Sequence, residues 1–199
     1  MKIVKGITLF IVVVVGLGTA YIYSGMYPMG ADVPHNKLTY WLLETIREQS
    51  VERSSKDITI PPLDDPMLLL AGGPDYNDMC VSCHLKPGRV ESDMSLGLYP
   101  MPPNLSLHAD QHGHQHGDES HGDKSQGDGG SEDSGQSLRR QFWIIKHGIK
   151  ASGMPAWGPT HDDQRIWAMV AFLQKLPELT PDQYQILTAR DEMADSLSH

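Results

Sequence analysis

The stretch Cys80-Val81-Ser82-Cys83-His84 sets two thiols two residues apart and follows the second at once with an imidazole. This is the attachment pattern of a c-type haem. Each thiol adds to one vinyl group of the porphyrin, and the two intervening residues let both sulfurs reach vinyls on the same edge of the ring. The next residue lies under the macrocycle, where its imidazole can bind iron. Cys80 and Cys83 are the only 2 cysteines in the chain, so both are consumed and no disulfide remains to be made. The competing uses of such a pair are a redox dithiol and half of a zinc site. Zinc needs a second ligand pair at fixed spacing and a thioredoxin-like dithiol needs a βαβ pattern nearby, and the sequence displays neither.

Around this motif the 199 residues suggest one domain with appendages. Hydrophobic residues make up 39%, and Gly, Ser, Asp and His crowd into one stretch, so the packed part is smaller than the whole chain. With Lys2 and Lys5 set aside, the 16 basic residues fall to 14 against 25 acidic ones, a balance of −11 that two haem propionates would deepen. That balance argues against nucleic-acid binding and for soluble partners that present a basic patch.

Toward the N-terminus, residues 7–23 (ITLFIVVVVGLGTAYIY) carry no charge and follow Lys2 and Lys5. A cleaved signal peptide, with Gly18-Thr19-Ala20 as its processing site, competes with a membrane anchor. The length of the run and the tyrosines Tyr21, Tyr23 and Tyr27 at its outer end favour the anchor. Both readings export everything that follows, which suits a c-type haem, attached on the outer side of the bacterial inner membrane. Residues 32–56 have a helical period, with Leu38, Trp41, Leu42, Thr45 and Ile46 on one stripe and Glu44 and Arg47 able to pair. Packing of the stripe on the haem domain is the simpler expectation; a seat at the membrane surface or on a partner is the other. His35 reads as a solvated histidine. Residues 60–66, IPPLDDP, form a hinge. Asp65 and Pro66 predict an N-cap and first helical position, and Gly72-Gly73-Pro74 predicts a kink or restart before the cysteines.

Beyond His84 the prolines and glycines of residues 87–103 predict loops, with Leu96, Leu98 and Leu105 as candidates to line the porphyrin and a prolyl carbonyl as acceptor for the second ring nitrogen of His84. Residues 108–136 hold almost no apolar side chain and predict a disordered insertion. Its His108, His112, His114, His116 and His121 are candidates for weak divalent-metal binding. Order is expected to return with a helix over 138–147, Phe142 and Ile145 inward, and Gly148 as its C′ residue. A second helix is expected over 162–176, with Ile166, Met169, Val170 and Leu173 inward, a capping box at Thr160 and Asp163, and Pro177 as its stop. A weaker helix over 181–193 and a frayed tail follow.

Iron held by His84 needs a ligand on its other face. Met154 is the favoured one, because Gly153, Pro155 and Gly158 make a stiff loop around it between two helices, and a His/Met pair is the pattern of electron-carrying haem proteins. Met101, in a proline-held loop, is the serious rival. His147 and His161 are the bis-histidine rivals, and the histidine-rich insertion is a more distant one. Met67, Met79 and Met169 sit at helical positions and read as core.

With CVSCH at 80–84, Pro-Pro-x-Leu at 102–105, His-Gly-Ile at 147–149, Gly-Met-Pro-Ala-Trp-Gly at 153–158 and IWAMVAFLQKLP at 166–177, the chain resembles the class I monohaem cytochromes c, in particular the membrane-anchored bacterial type with a cbb3-oxidase subunit III-like domain. The resemblance implies an all-α fold of three to five helices around one haem, thioethers at Cys80 and Cys83, axial ligands His84 and Met154, and a helix around Tyr76 crossing one around Trp167. It departs at Gly73-Pro74 and in an insertion of about thirty residues whose closure costs only about 1 kcal/mol. The expected organisation is an anchor or signal at 1–24, a helical linker with a proline-rich hinge at 25–65, a cytochrome c domain at 66–180 containing the 108–136 insertion, and a short helix and tail at 181–199. The expected function is that of an electron carrier, not an enzyme. It would sit in the bacterial inner membrane with its covalent haem c in the periplasm, working between a quinol-oxidising complex or dehydrogenase and a terminal oxidase or reductase. The alternatives are a fixed haem subunit of a larger oxidoreductase and a metal-binding or sensing protein acting through the histidines.

Overall fold

A computed structural model describes residues 1–107 and 132–190, and every regular element among them is helical. The chain divides into two compact units, Met1–Pro34 and His35–His199. The first holds α1, Lys2–Tyr23, a 22-residue helix with no buried residue. At 1.5 Å per residue it is about 33 Å long, enough to cross a hydrocarbon core. Its last turn closes where the Ser24 N–H donates to the carbonyls of Ala20 (2.9 Å) and Tyr21 (3.3 Å), and Gly25 follows at φ 66°.

The second unit begins with α2, Lys37–Ser55, later than the periodicity suggested because the Asn36 side chain caps it by accepting from the Thr39 N–H at 2.9 Å. His35, expected in solvent, instead sits edge-on to the Tyr99 ring, and its N–H donates to the Tyr99 hydroxyl at 3.1 Å. The expected packing of the Leu38–Ile46 stripe is not found. Those side chains are exposed, and α2 meets the body through a different face, with Val51 and Ser55 fully buried. The partner is α6, Glu132–His147, reached by an Arg140–Glu48 ion pair, by Arg140 Nη1 to Glu52 at 3.5 Å and by Gln136 donating to Glu52 at 2.6 Å. Glu44 and Arg47 pair as the spacing suggested. Helix α6 starts at Glu132, well before Ser137 and inside the stretch read as insertion.

Helix α3 runs Pro66–Met79, capped by Asp65, whose carboxylate accepts from the Met67 N–H at 2.9 Å. Pro74 lies inside it and the helix does not restart. Tertiary packing overrides the local penalty: a Cβ on Gly72 would lie 2.1 Å from the Ala168 carbonyl oxygen, so α3 rests backbone-to-backbone on α7, Asp163–Lys175. The crossing therefore centres on Gly72 and Ala168, while Tyr76 packs on Phe172 and Tyr184. The cap of α7 is Asp162, accepting from the Arg165 N–H at 2.8 Å, and not the Thr160–Asp163 box. Ile166, Met169 and Val170 are buried as expected, and Trp167 stacks on Phe142 with centroids 4.3 Å apart. A 3₁₀ turn at Leu176–Glu178 and helix α8, Pro181–Thr188, complete the body. Helix α8 lies against α3, with Tyr184 buried. It ends at Thr188, short of the expected limit at residue 193, which lies outside the described residues.

Candidate haem site

The motif is delivered by the end of α3. Cys80 is that helix's C-cap, its N–H donating to the Tyr76 carbonyl at 2.9 Å. One further helical turn, α4 (Val81–His84), follows. In it the N–H groups of Cys83 (3.1 Å) and His84 (2.8 Å) both donate to the Cys80 carbonyl, which brings both cysteines and the histidine into one turn. Leu85, buried and at φ 64°, ends the turn abruptly. The Tyr76 hydroxyl donates to the Leu85 carbonyl at 2.7 Å, so a fully buried ring ties the end of the motif back to the helix that precedes it. Sequence reasoning missed this clasp, although the spacing 76, 80, 84 placed all three on one helical face. Neither cysteine is paired in a disulfide, which leaves both sulfurs for haem attachment.

His84 is oriented from the loop that follows. Its Nδ1 lies 2.9 Å from the Pro103 carbonyl, which fixes Nδ1 as the protonated nitrogen and leaves Nε2 with a free lone pair. The Leu105 N–H donates to the His84 carbonyl at 3.1 Å, so the 103–105 strap holds both ring and backbone. Buried Asn104, between them, accepts from the Ser106 N–H (3.0 Å) and hydroxyl (2.7 Å), which stiffens the strap. Burial lowers the His84 pKa against the opposing effect of the Pro103 bond, keeping the imidazole neutral as a metal ligand requires. The expected prolyl acceptor is thus Pro103. A short helix, α5 (Asp93–Gly97), interrupts what read as unbroken loop, nucleated by a capping box between Ser92 and Ser95.

Met154 lies on the loop that leaves α6. The Trp157 N–H donates back to the Ile145 carbonyl (3.1 Å) and the Gly158 N–H to the Lys146 carbonyl (2.9 Å), so the loop satisfies the free carbonyls of the helix end. The Met154 carbonyl accepts from the Ile149 N–H at 3.2 Å, and its N–H donates to the Ser152 hydroxyl at 3.1 Å. Gly148 is at φ 66°, and a Cβ there would lie 2.7 Å from the Met154 oxygen. The half-buried Met154 side chain packs on the Phe142–Ile166–Trp167 core together with Met79, the residue before Cys80.

One segment brings the two halves together. Its Pro103 holds His84, and its Leu98 lies against the Met154 loop, close enough that a Cβ on Gly153 would meet Leu98 Cδ2 at 2.5 Å. The other leucines differ. Leu105 packs on the Tyr76–Phe172 cluster, and Leu96 is exposed at the rim of a cleft of about 270 Å³. Met101 lines that same cleft with Leu85 and Asn104, the chain neighbours of His84 and Pro103. His147 is exposed and tilted on Trp143, 5.0 Å away. His161 is edge-on to Trp157, its Nδ1 2.8 Å from the Thr160 hydroxyl and its buried Nε2 without a partner among the described residues. Met169 and Met79 serve the core as expected, but Met67 is exposed. His108, His112, His114, His116 and His121 lie outside the described residues. Among the described residues no cluster of three or more histidine, cysteine or acidic side chains is placed to hold a free metal ion.

Two thiols in one turn and an imidazole whose Nδ1 is tied to a carbonyl fit a covalent haem. The model of the family described as cytochrome c oxidase, cbb3-type, subunit III matches residues 69–173, more than half of the chain. The chain belongs to this family. No curated protein and no solved structure matches it. Membership makes this a cytochrome c domain carrying covalent haem c, hence an electron-transfer haem protein. The haem supplies a one-electron couple. The chain supplies the attachment thiols, the oriented imidazole and the packed walls. The apolar α1 is long enough to anchor this cbb3-type cytochrome domain in a membrane.

Proposed function

We propose that this cytochrome is tethered by α1 to the bacterial inner membrane and works on the periplasmic side. There it passes single electrons from a quinol-oxidising complex or dehydrogenase to a terminal oxidase or reductase, through iron ligated by His84 and Met154. The observation that carries this reading is the 98–105 segment, which orients His84 through Pro103 and buttresses the Met154 loop through Leu98. Held by a soft thioether and a neutral imidazole, haem iron would have no open position and would favour its reduced state, which suits transfer and not substrate chemistry. Placement of Met101 beside Leu85 and Asn104 supports Met154 over its rival. Replacing Met154 with alanine is expected to lower the reduction potential by on the order of 0.1–0.3 V, within the ~0.8 V that axial ligands span, and to open iron to added cyanide or imidazole. An unchanged potential and spectrum would assign the sixth position elsewhere.

A second reading, a fixed haem subunit of an oxidase, is favoured by the family's description as a subunit of a cbb3-type cytochrome c oxidase. Purification from native membranes separates the two: a carrier comes away alone, whereas a subunit brings a stoichiometric oxidase core.

A further inference from the structure

Helix α2 has two unlike halves. Its C-terminal half is pinned to α6 through Val51, Ser55 and the Glu48–Arg140–Glu52 ion pairs. Its N-terminal half presents one stripe of Leu38 (71% exposed), Trp41 (61%), Ile46 (57%) and Leu42 (48%). Residues 38–43 contain no charge; Lys37 precedes them, and Glu44 and Arg47, which follow, pair with each other. A contiguous apolar face of this kind on a soluble body marks an interaction surface.

We infer that this face is seated in the lipid–water interface of the membrane that holds α1, so that α2 acts as a foot setting the posture of the haem domain. Chain connectivity favours lipid as the occupant. Only residues 24–36, thirteen in all, separate Tyr23 of α1 from Lys37 of α2, a contour of at most about 45 Å. That tether gives the face a high effective concentration at the surface of a membrane that holds α1. Its side-chain types agree, because Trp and Tyr put an apolar ring body and a polar tip where a headgroup region offers both environments. Charge identifies which lipid. The part of the chain beyond Lys5 carries −11, so anionic headgroups repel the domain and the seat is made by apolar contact on neutral lipid. Because the other half of α2 is fixed to α6, seating the foot restrains the whole unit, where a bare tether would let it swing.

The inference rests on α1 being a membrane anchor, and the test reports on both. The full haem-loaded chain is placed singly in phosphatidylcholine nanodiscs containing a small fraction of phosphatidylcholine with a diazirine near the top of its acyl chain. After illumination, lipid adducts are mapped by mass spectrometry. Adducts are expected on α1 and on residues 38–46, at least fivefold more per residue than on 47–55. The Leu38→Ser/Leu42→Ser/Ile46→Ser variant, which alters only exposed side chains, is expected to lose at least four-fifths of the adducts at 38–46 while keeping those on α1 and the haem spectrum. Adducts on α1 with none on 38–46 overturn the foot and leave the face to a second copy or a protein partner. Failure of the chain to enter discs, with no adducts anywhere, overturns the anchor and the foot together.

Discussion

Two of the helix contacts in this haem domain are built on opposite principles. At the α3–α7 crossing, Gly72 lets backbone meet backbone, since a Cβ there would lie 2.1 Å from the Ala168 carbonyl oxygen, and the next residue, Gly73, does the same toward α8, 2.3 Å from the Leu187 carbonyl oxygen. At the α2–α6 contact, burial is limited to Val51 and Ser55, and the join is made by Glu48, Glu52, Gln136 and Arg140, side chains that all keep some access to water. The first contact is fixed by shape and tolerates nothing added. The second is fixed by charge and is adjustable. The haem cysteines hang from the end of α3, so the rigid contact positions the cofactor, while the adjustable one carries the exposed foot.

The sharpest way to break this contrast is at Gly72. In an ordinary helix interior, Gly→Ala adds about 0.5–1 kcal/mol of stability by lowering chain entropy. Here the new methyl meets Ala168 and Met169 backbone atoms at 2.1–2.9 Å, which cannot move without parting the helices. Gly72→Ala is expected to destabilise the holoprotein by about 3 kcal/mol or more in urea unfolding followed by the haem absorbance. A neutral or stabilising outcome would show that the crossing has slack.

A smaller effect is expected where charge enters the rigid region. Asp75 is buried on α3 with its carboxylate accepting from Arg165 Nη2 at 2.7 Å and Arg190 Nη2 at 3.2 Å, and so ties together α3, α7 and the chain after α8. Both arginines are more than a third exposed, which screens the pairing. Asp75→Ala is expected to cost about 1–3 kcal/mol, and Asp75→Asn, which retains the shape and one acceptor, about half of that. Equal losses for the two would mean that charge matters and shape does not, reversing the contrast on this side of the molecule.

These contacts also explain what the sequence could and could not reveal. Cys80, Cys83 and His84 were legible because covalent attachment demands a fixed local spacing. The α7 stripe was legible because burial on one face leaves a 3.6-residue period. Pro103 as the acceptor for His84 and Leu98 as the buttress of the Met154 loop were only partly legible, because each is a meeting of residues far apart in sequence that several nearby prolines and leucines could have made. The restart offered at Pro74 does not occur because the penalty of a helical proline is local, while the gain that outweighs it, Gly72 on Ala168, lies across the fold. The α2 stripe was misread for the opposite reason: its period is real, but periodicity says only that one face is apolar, not what covers it.

The weakest predicted effect probes the adjustable contact through Glu48. Burial pushes its pKa up, but hydrogen bonds from Arg47 and Arg140 outweigh that and hold it below the ordinary value of 4.5. A carboxyl whose folded pKa is lowered contributes its full stabilisation above the unfolded value and loses it as pH falls through the folded one. The contribution of Glu48 is therefore complete above 4.5 and vanishes in more acidic solution. With the side chain 40% exposed, solvent screening limits it to under about 1 kcal/mol, and added salt reduces it further. Glu48→Gln is expected to speed amide exchange in α2 up to about fivefold at neutral pH and low salt, as 1 kcal/mol implies, while leaving α7 unchanged. The difference from the parent chain should shrink toward zero on acidification or in molar salt. A difference that persists in acid would mean that Glu48 acts through packing, and the α2–α6 join would then belong with the α3–α7 crossing as a contact of shape.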